Sequence, residues 1–200
     1  GLDWTDGRPF DDEKAAAVAD ELNRALQALR REFPGLRFTT SIHGDLRWTA
    51  LPVDFDCLDV HFYADADWRW AHRTRFAEFG PRLFTDAGWH REFSDRCTAS
   101  HRAMAPMFRQ RQRAKLAAFS SWAARTGAPL TTSESWACWY YCDSPDLDWK
   151  WLLDWAAWSV EDAIDFRMWG WTPHNFVQPH FANWRDVNWH RRLTEKFLQG

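Results

Sequence analysis

The chain has 200 residues, which is enough for one domain with a sizeable core, and a formal net charge of −3 at pH 7. A charge this small predicts neither a nucleic-acid nor a membrane partner, and no apolar run reaches the roughly 18 residues that a transmembrane helix needs. The unusual feature is the 16 tryptophans. Indole rings fill protein cores, where most of these are expected, and they also stack on the apolar faces of sugars.

The four cysteines lie at Cys57, Cys97, Cys138 and Cys142, a spacing that matches no zinc motif. Free thiols are expected, although Cys138 and Cys142 could pair. We predict no metal or other cofactor. The sequence opens on Gly1 without a signal peptide. We expect that the true N-terminus is missing, and a cytoplasmic location is favoured.

The first third of the chain predicts one helix followed by two strands. Asp11 or Asp12 can cap a helix whose apolar residues recur at helical spacing, and Pro34-Gly35 ends it. Residues 36–42 and 57–63 are rich in β-branched and aromatic side chains. Both stretches are therefore predicted as strands.

The middle of the chain is less regular. Glycine and proline interrupt residues 68–100, for which we expect short helices and loops. A clear helical pattern covers 106–125, with Gly127 as its C-cap. A third strand is predicted over 130–134.

The last third continues the alternation of helices and strands. The pattern predicts a helix over 149–163, a short apolar strand over 166–169, an aromatic loop and a final helix over 185–198. Alternating helices and strands favour βα units around a parallel sheet. No linker or low-complexity segment interrupts the chain, so residues 1–200 are predicted to form one domain.

Two α/β architectures fit four parallel strands. One is half of a (β/α)8 (TIM) barrel, whose full length is typically about 250 residues. The other is an open, doubly wound sheet. The barrel is favoured, because no glycine-rich phosphate loop follows any predicted strand.

The third predicted strand and the residues after it read Leu-Thr-Thr-Ser-Glu-Ser-Trp over 130–136. This motif resembles strand seven of the retaining glycoside hydrolases in the large cellulase-like clan, which are built on a (β/α)8 barrel. The resemblance implies that Glu134 is the nucleophile. It also implies that the chain is the C-terminal half of the barrel, strands five to eight.

The second predicted strand supports the same placement. It ends in Leu-Asp-Val-His-Phe-Tyr over 58–63, which resembles the His-x-Tyr at the end of strand six in the cellulase-like branch. His61 and Tyr63 share one face of a strand, because side chains alternate with a period of two. The resemblance implies that Tyr63 orients the nucleophile and that His61 contacts the sugar. An interior pair with purely structural hydrogen bonds is the alternative.

Tryptophans near the strand ends are candidate sugar-stacking residues. Strand eight of the clan commonly ends in a tryptophan that forms the floor of the sugar subsite. Trp169 or Trp171 could have this role. Trp136 could add a stacking wall, which Trp139 could extend.

Polar residues follow the fourth predicted strand. His174 and Asn175 are candidate sugar contacts. The other histidines between residues 171 and 190 do not have metal-ligand spacing, and Pro173 and Pro179 break any common helix face. No metal site is predicted.

A retaining mechanism needs a second carboxyl group about 5–5.5 Å from the nucleophile. In the clan this acid/base is a glutamate that follows an asparagine at the end of strand four, and no Asn-Glu occurs in this sequence. We therefore expect the acid/base before Gly1, and no turnover by the 200 residues alone. The loop carboxylates Asp65, Asp67 and Asp143 are weaker candidates for this role.

The sequence thus predicts a retaining glycoside hydrolase that acts on a β-linked glucan, mannan or galactoside without a cofactor. The main alternative is a non-catalytic carbohydrate-binding barrel. A third hypothesis gives Glu134 a structural role, paired with an arginine such as Arg167.

Overall fold

The computed structural model describes residues 10–63, 67–134, 138, 140–172 and 182–200, without the side chain of Trp184. The α-helices in these ranges are α1 Asp12–Glu32, α2 Trp68–Thr74, α3 Phe76–Phe79, α4 His90–Thr126, α5 Lys150–Asp165 and α6 Val187–Gln199. The strands are β1 Ser41–His43, β2 Leu58–His61 and β3 Leu130–Thr131. Among the described residues, no α-helix has the length and hydropathy of a membrane span.

The three strands form one parallel sheet in the order β1-β2-β3. Ile42 is paired with Val60, and Leu58 is paired with Leu130. The prediction of an α/β fold with a parallel sheet is confirmed. The carboxyl ends of all three strands meet at one edge of the sheet.

The two faces of the sheet differ in chemistry. Alternate residues Leu58, Val60 and Phe62 belong to a buried core with side chains of α1 and α4. Asp59, which is adjacent in sequence to two of these core residues, instead accepts hydrogen bonds from Ser133, just beyond β3. Period-two alternation therefore places an apolar face against the helices and a polar face on the other side.

A second buried cluster is rich in aromatic residues. It joins α2, α3, α4 and α5, and at its centre the indole rings of Trp70 and Trp151 lie 5.2 Å apart. Trp155 packs on the same ring of Trp70 at 6.2 Å. These three tryptophans are at most 2% exposed, so their role is to fill the core.

Helix α4 begins 16 residues before the predicted start at Pro106, at His90. Proline is favoured in the first turn of a helix, and this preference suggested the wrong start. Pro106 instead lies inside α4 and is exposed. At an exposed position water can hydrogen-bond to the carbonyl group that the proline leaves without an amide partner.

The ladder of β1 is shorter than predicted because side chains hold the first half of the stretch. The backbone N–H of Phe38 donates to Asp56 Oδ2 at 2.6 Å, and Thr39 Oγ1 donates to the carbonyl of Cys57 at 2.7 Å. Regular backbone pairing begins only at Ser41.

The predicted strand over residues 166–169 is wrong. Helix α5 ends there in a Schellman motif, with Arg167 in the left-handed region at φ 52° and the N–H of Met168 bonded to the carbonyl of Ala163 at 2.9 Å. The chain reaches the sheet only afterwards. The N–H of Trp169 donates to Leu130 O at 2.7 Å, and that of Thr172 donates to Thr132 O at 3.0 Å.

A buried carboxylate ties α5 to α4. Asp162 is 1% exposed and accepts hydrogen bonds from Arg109 and Arg113. We expect Asp162→Asn to lower the free energy of unfolding by about 2 kcal/mol, because both guanidinium groups lose a charged acceptor. The exposed Asp165, which also pairs with Arg113, is the control. Asp165→Asn should change stability by less than about 0.5 kcal/mol, and equal effects in urea unfolding would contradict this account.

Candidate functional site

A carboxylate and a phenol meet just beyond the carboxyl ends of β2 and β3. Tyr63 follows β2 and is 8% exposed. Glu134 follows β3 and is half-buried. The hydroxyl of Tyr63 donates a hydrogen bond to Oε2 of Glu134. This hydrogen bond joins the segments that follow β2 and β3 at the carboxyl edge of the sheet.

A hydrogen-bonded network joins β2 to the segment that carries Glu134. Asp59 Oδ1 accepts from the backbone N–H of Ser133 at 2.7 Å, and Asp59 Oδ2 accepts from Ser133 Oγ at 2.7 Å. His61 Nε2 lies 3.1 Å from Ser133 Oγ and 3.3 Å from Asp59 Oδ2. The residue immediately before Glu134 is therefore bonded to both polar side chains of β2.

Asp59 is held in its ionised form. Burial by itself raises the pKa of this carboxyl group, but the hydrogen bonds from His61 and from the hydroxyl and amide of Ser133 outweigh burial and lower the pKa below its ordinary value. A general acid needs a raised pKa. Asp59 is therefore unsuited to supply the proton that a leaving group needs.

Three rings line the polar face beside this network. The ring of His61 meets Tyr63 edge-on, with centroids 6.3 Å apart, and it meets His43 of β1 edge-on at 6.0 Å. His61 is only 3% exposed, whereas His43 is exposed. His61 thus supports the site from within, and little of its surface is free to touch a ligand.

The two tryptophans predicted near strand eight have different environments. Trp169 is 73% exposed, and its backbone N–H donates to Leu130 O, at the start of β3. The ring of Trp171 stacks on Phe197 at 5.9 Å, and its indole N–H donates to Ser159 at 2.9 Å. Helices α5 and α6 account for the packing of Trp171, so Trp169 is the better stacking candidate.

Several other sequence candidates lie outside the described residues. They are Trp136, Trp139, His174, Asn175 and Asp65. Their roles stay predictions.

The other two loop carboxylates, Asp67 and Asp143, lie within the described residues, as do Glu134 and Arg167. Asp67 caps α2 and pairs with Arg111 at 2.7 Å, so it already has two structural roles. Asp143 is exposed. Within the described residues Glu134 and Arg167 form no ion pair, and the carboxylate of Glu134 accepts from Tyr63. The same residues contain no cluster of three or more side chains that could hold a metal ion.

Sequence reasoning missed Asp59 and Ser133. A signal was present: Asp59 lies two residues before His61, so the strand period places both on the polar face. Ser133 has no comparable signal, because its role comes from the register between β2 and β3.

Comparison with known proteins gives a family and a fold. A family model described as sugar-binding, cellulase-like matches residues 3–198. A solved structure, titled as a candidate glycoside hydrolase from Parabacteroides distasonis ATCC 8503, matches with a TM-score of 0.70 and 24% identity over 94% of this chain and 49% of that one. The chain thus spans about half the length of that structure. No curated protein matches the sequence.

Proposed function

The chain belongs to the sugar-binding, cellulase-like family, and from this premise we propose that it supplies the nucleophile of a retaining glycoside hydrolase. In this proposal β1, β2 and β3 are strands five, six and seven of a (β/α)8 barrel. The segment from Trp169 to Thr172, which is hydrogen-bonded to β3 and Thr132, takes the place of strand eight. The polar face of the sheet is directed towards the barrel axis. Active sites of such barrels lie at the carboxyl ends of the strands, which is the edge where Glu134 and Tyr63 meet.

The observation that carries the proposal is the hydrogen bond from Tyr63 to Glu134. In the first step a carboxylate oxygen of Glu134 attacks the anomeric carbon and forms a glycosyl ester. The bond to the leaving oxygen breaks, and an acid supplies the proton that this oxygen takes up. In the second step water, deprotonated by the same group, hydrolyses the ester and releases Glu134.

The proposal assigns the acid/base carboxyl group to a part of the barrel outside these 200 residues. Support comes from the solved structure that resembles this chain, of which the chain spans 49%. The ionised Asp59 and the capping Asp67 do not fill the role. Hydrolysis of aryl β-glycosides by the full-length protein, but not by the isolated 200 residues, is the expected result. Turnover by the isolated residues would contradict this assignment.

The substrate class proposed is a β-linked glucan, mannan or galactoside, with Trp169 stacking on one sugar ring. We expect Trp169→Ala to weaken binding of the best oligosaccharide by roughly 2- to 10-fold, since aromatic stacking contributes about 0.5–1.5 kcal/mol. Titration calorimetry with gluco-, manno- and galacto-oligosaccharides measures this. Exposed Trp68, in α2, is the control. Equal losses for Trp169→Ala and Trp68→Ala would contradict the assignment of Trp169.

A second candidate function is carbohydrate binding without catalysis. The description of the matching family as sugar-binding favours it. This function keeps the aromatic and polar groups of the site but needs no attack by Glu134. Binding experiments alone fit both candidates, so the two are separated only by whether a bond forms between Glu134 and the sugar.

A further inference from the structure

The segment that presents Glu134 has little regular support of its own. The ladder of β3 ends at Thr131, three residues before Glu134. Beyond that point the N–H of Thr132 donates to Gly170 O at 3.3 Å, and Thr132 O accepts from the N–H of Thr172 at 3.0 Å. The side chain of Thr132 donates to Glu134 O at 3.1 Å. The position of the Glu134 carboxylate therefore depends on contacts from outside the strand.

Asp59 supplies two of those contacts. Its two carboxylate oxygens accept both hydrogen-bond donors of Ser133, each at 2.7 Å. Binding the backbone N–H and the side-chain hydroxyl of the same residue fixes both the position and the rotation of the chain immediately before Glu134. Charged acceptors form stronger hydrogen bonds than neutral ones.

Asp59 is also well placed to hold this geometry. Its carboxyl group is on the central strand β2, and its side chain is 13% exposed. His61 Nε2 lies 3.3 Å from Oδ2 on the same strand. A rigid strand that supports a catalytic side chain through a short hydrogen-bonded link is the arrangement that keeps a reacting atom within a fraction of an ångström of its productive position.

We propose that Asp59 is a positioning residue, which holds Ser133 and thereby aims the Glu134 carboxylate at the anomeric carbon of the sugar. This inference rests on the proposed function. Asp59 itself does not touch the substrate. Its loss should therefore slow the formation of the glycosyl ester while leaving the affinity for sugar nearly unchanged.

The test uses the full-length protein and 2,4-dinitrophenyl 2-deoxy-2-fluoro-β-glycosides of the gluco, manno and galacto series. Glu134 would attack the anomeric carbon, and dinitrophenolate would leave as an anion with the bonding electron pair. No proton from the acid/base is needed. The electron-withdrawing fluorine slows hydrolysis of the ester, so intact-mass measurements give the rate of ester formation directly.

We expect Asp59→Ala to lower the rate of ester formation roughly tenfold or more. Asp59→Asn should recover part of the rate, because its amide oxygen can still accept from the Ser133 N–H. Ser41→Ala is the matched control: Ser41 is the register partner of Asp59 on β1 and is exposed. It should react at the wild-type rate. Hydrogen exchange should speed up at the Ser133 amide in Asp59→Ala only.

The outcomes separate the positioning role from the proposed function. Ester formation in the wild type with an unchanged rate in Asp59→Ala would overturn the positioning role and leave the proposed function standing. The positioning role is also overturned if Asp59→Ala loses rate only in proportion to its loss of folded protein, measured by circular dichroism. Absence of any ester in the wild type would instead overturn the proposed function, and with it the role of Asp59.

Discussion

Replacing Glu134 with glutamine should lower kcat/KM of the full-length protein for aryl β-glycosides by roughly 10³- to 10⁶-fold, the range seen when a nucleophile or an acid/base group is removed. The amide of glutamine does not form a glycosyl ester. The glutamine side chain has nearly the size of glutamate, and its oxygen can still accept the hydrogen bond from Tyr63. Sugar affinity should therefore stay close to that of the wild type. Initial rates with 4-nitrophenyl glycosides and calorimetric binding give the two quantities separately.

The matched control for this prediction is Asp143→Asn, which neutralises an exposed carboxylate nine residues further along the chain. It should keep wild-type activity. A Glu134→Gln protein that retains more than about a tenth of the wild-type rate would show that the carboxylate is not the nucleophile.

A chemical rescue identifies the role of Glu134 more sharply. In Glu134→Ala, added azide can occupy the space of the missing carboxylate and attack the anomeric carbon while the acid protonates the leaving oxygen. The product would be a glycosyl azide of α configuration from a β-glycoside. Rescue with the β configuration would instead assign Glu134 to the acid/base role.

Tyr63→Phe should lower kcat by roughly 10- to 100-fold. The phenylalanine ring keeps the packing against His61, with its ring centroid 6.3 Å away, but no longer donates to Glu134. A hydrogen bond to a charged group is worth about 1.5–3 kcal/mol, which corresponds to that range of rates. KM should change little, because the lost contact is to Glu134, the proposed nucleophile.

Tyr140→Phe provides the control for Tyr63. The ring of Tyr140 packs against Phe76 at 5.7 Å and Phe84 at 6.1 Å. Its loss of a hydroxyl should leave kcat unchanged. If the two variants were equally active, the hydrogen bond to Glu134 would have no catalytic part.

The sequence correctly predicted features that depend on residues close together in the chain, such as helix caps and strand alternation. Helix α1 begins at Asp12 after its cap Asp11, whose side chain accepts from the N–H of Lys14, and Gly127 ends α4 with φ 73°. Strand β2 alternates apolar and polar residues between two different environments. Such elements are specified by caps, glycines and periodicity within a few residues.

The predicted element bounds were wrong where contacts distant in sequence determine the structure. An exposed proline did not interrupt α4. Arg167, just after α5, has the left-handed conformation that glycine usually adopts at the end of a helix. Because the residue is an arginine, the sequence did not indicate the turn. The chain then joins the sheet at Trp169, three residues later than the predicted strand begins.

In the candidate site, too, local motifs indicated some residues, whereas contacts set by strand pairing were missed. The motif after β3 and the His-x-Tyr of β2 predicted that Tyr63 orients Glu134, and the structure contains a hydrogen bond between them. Asp59 and Ser133 were missed, because their contact depends on the pairing of Leu58 with Leu130, which sets the register of two strands far apart in sequence. No pattern within either strand contains that information.

The most direct test of the central claim is to locate the covalent bond between enzyme and sugar. After reaction of the full-length protein with the activated fluoroglycosides, proteolysis and tandem mass spectrometry identify the modified side chain. We expect one glycosyl group, attached to Glu134 and absent from the Glu134→Gln variant. A glycosyl group on another carboxylate, or none with any of the three sugar series, would contradict it and favour a protein that binds carbohydrate without cleaving it.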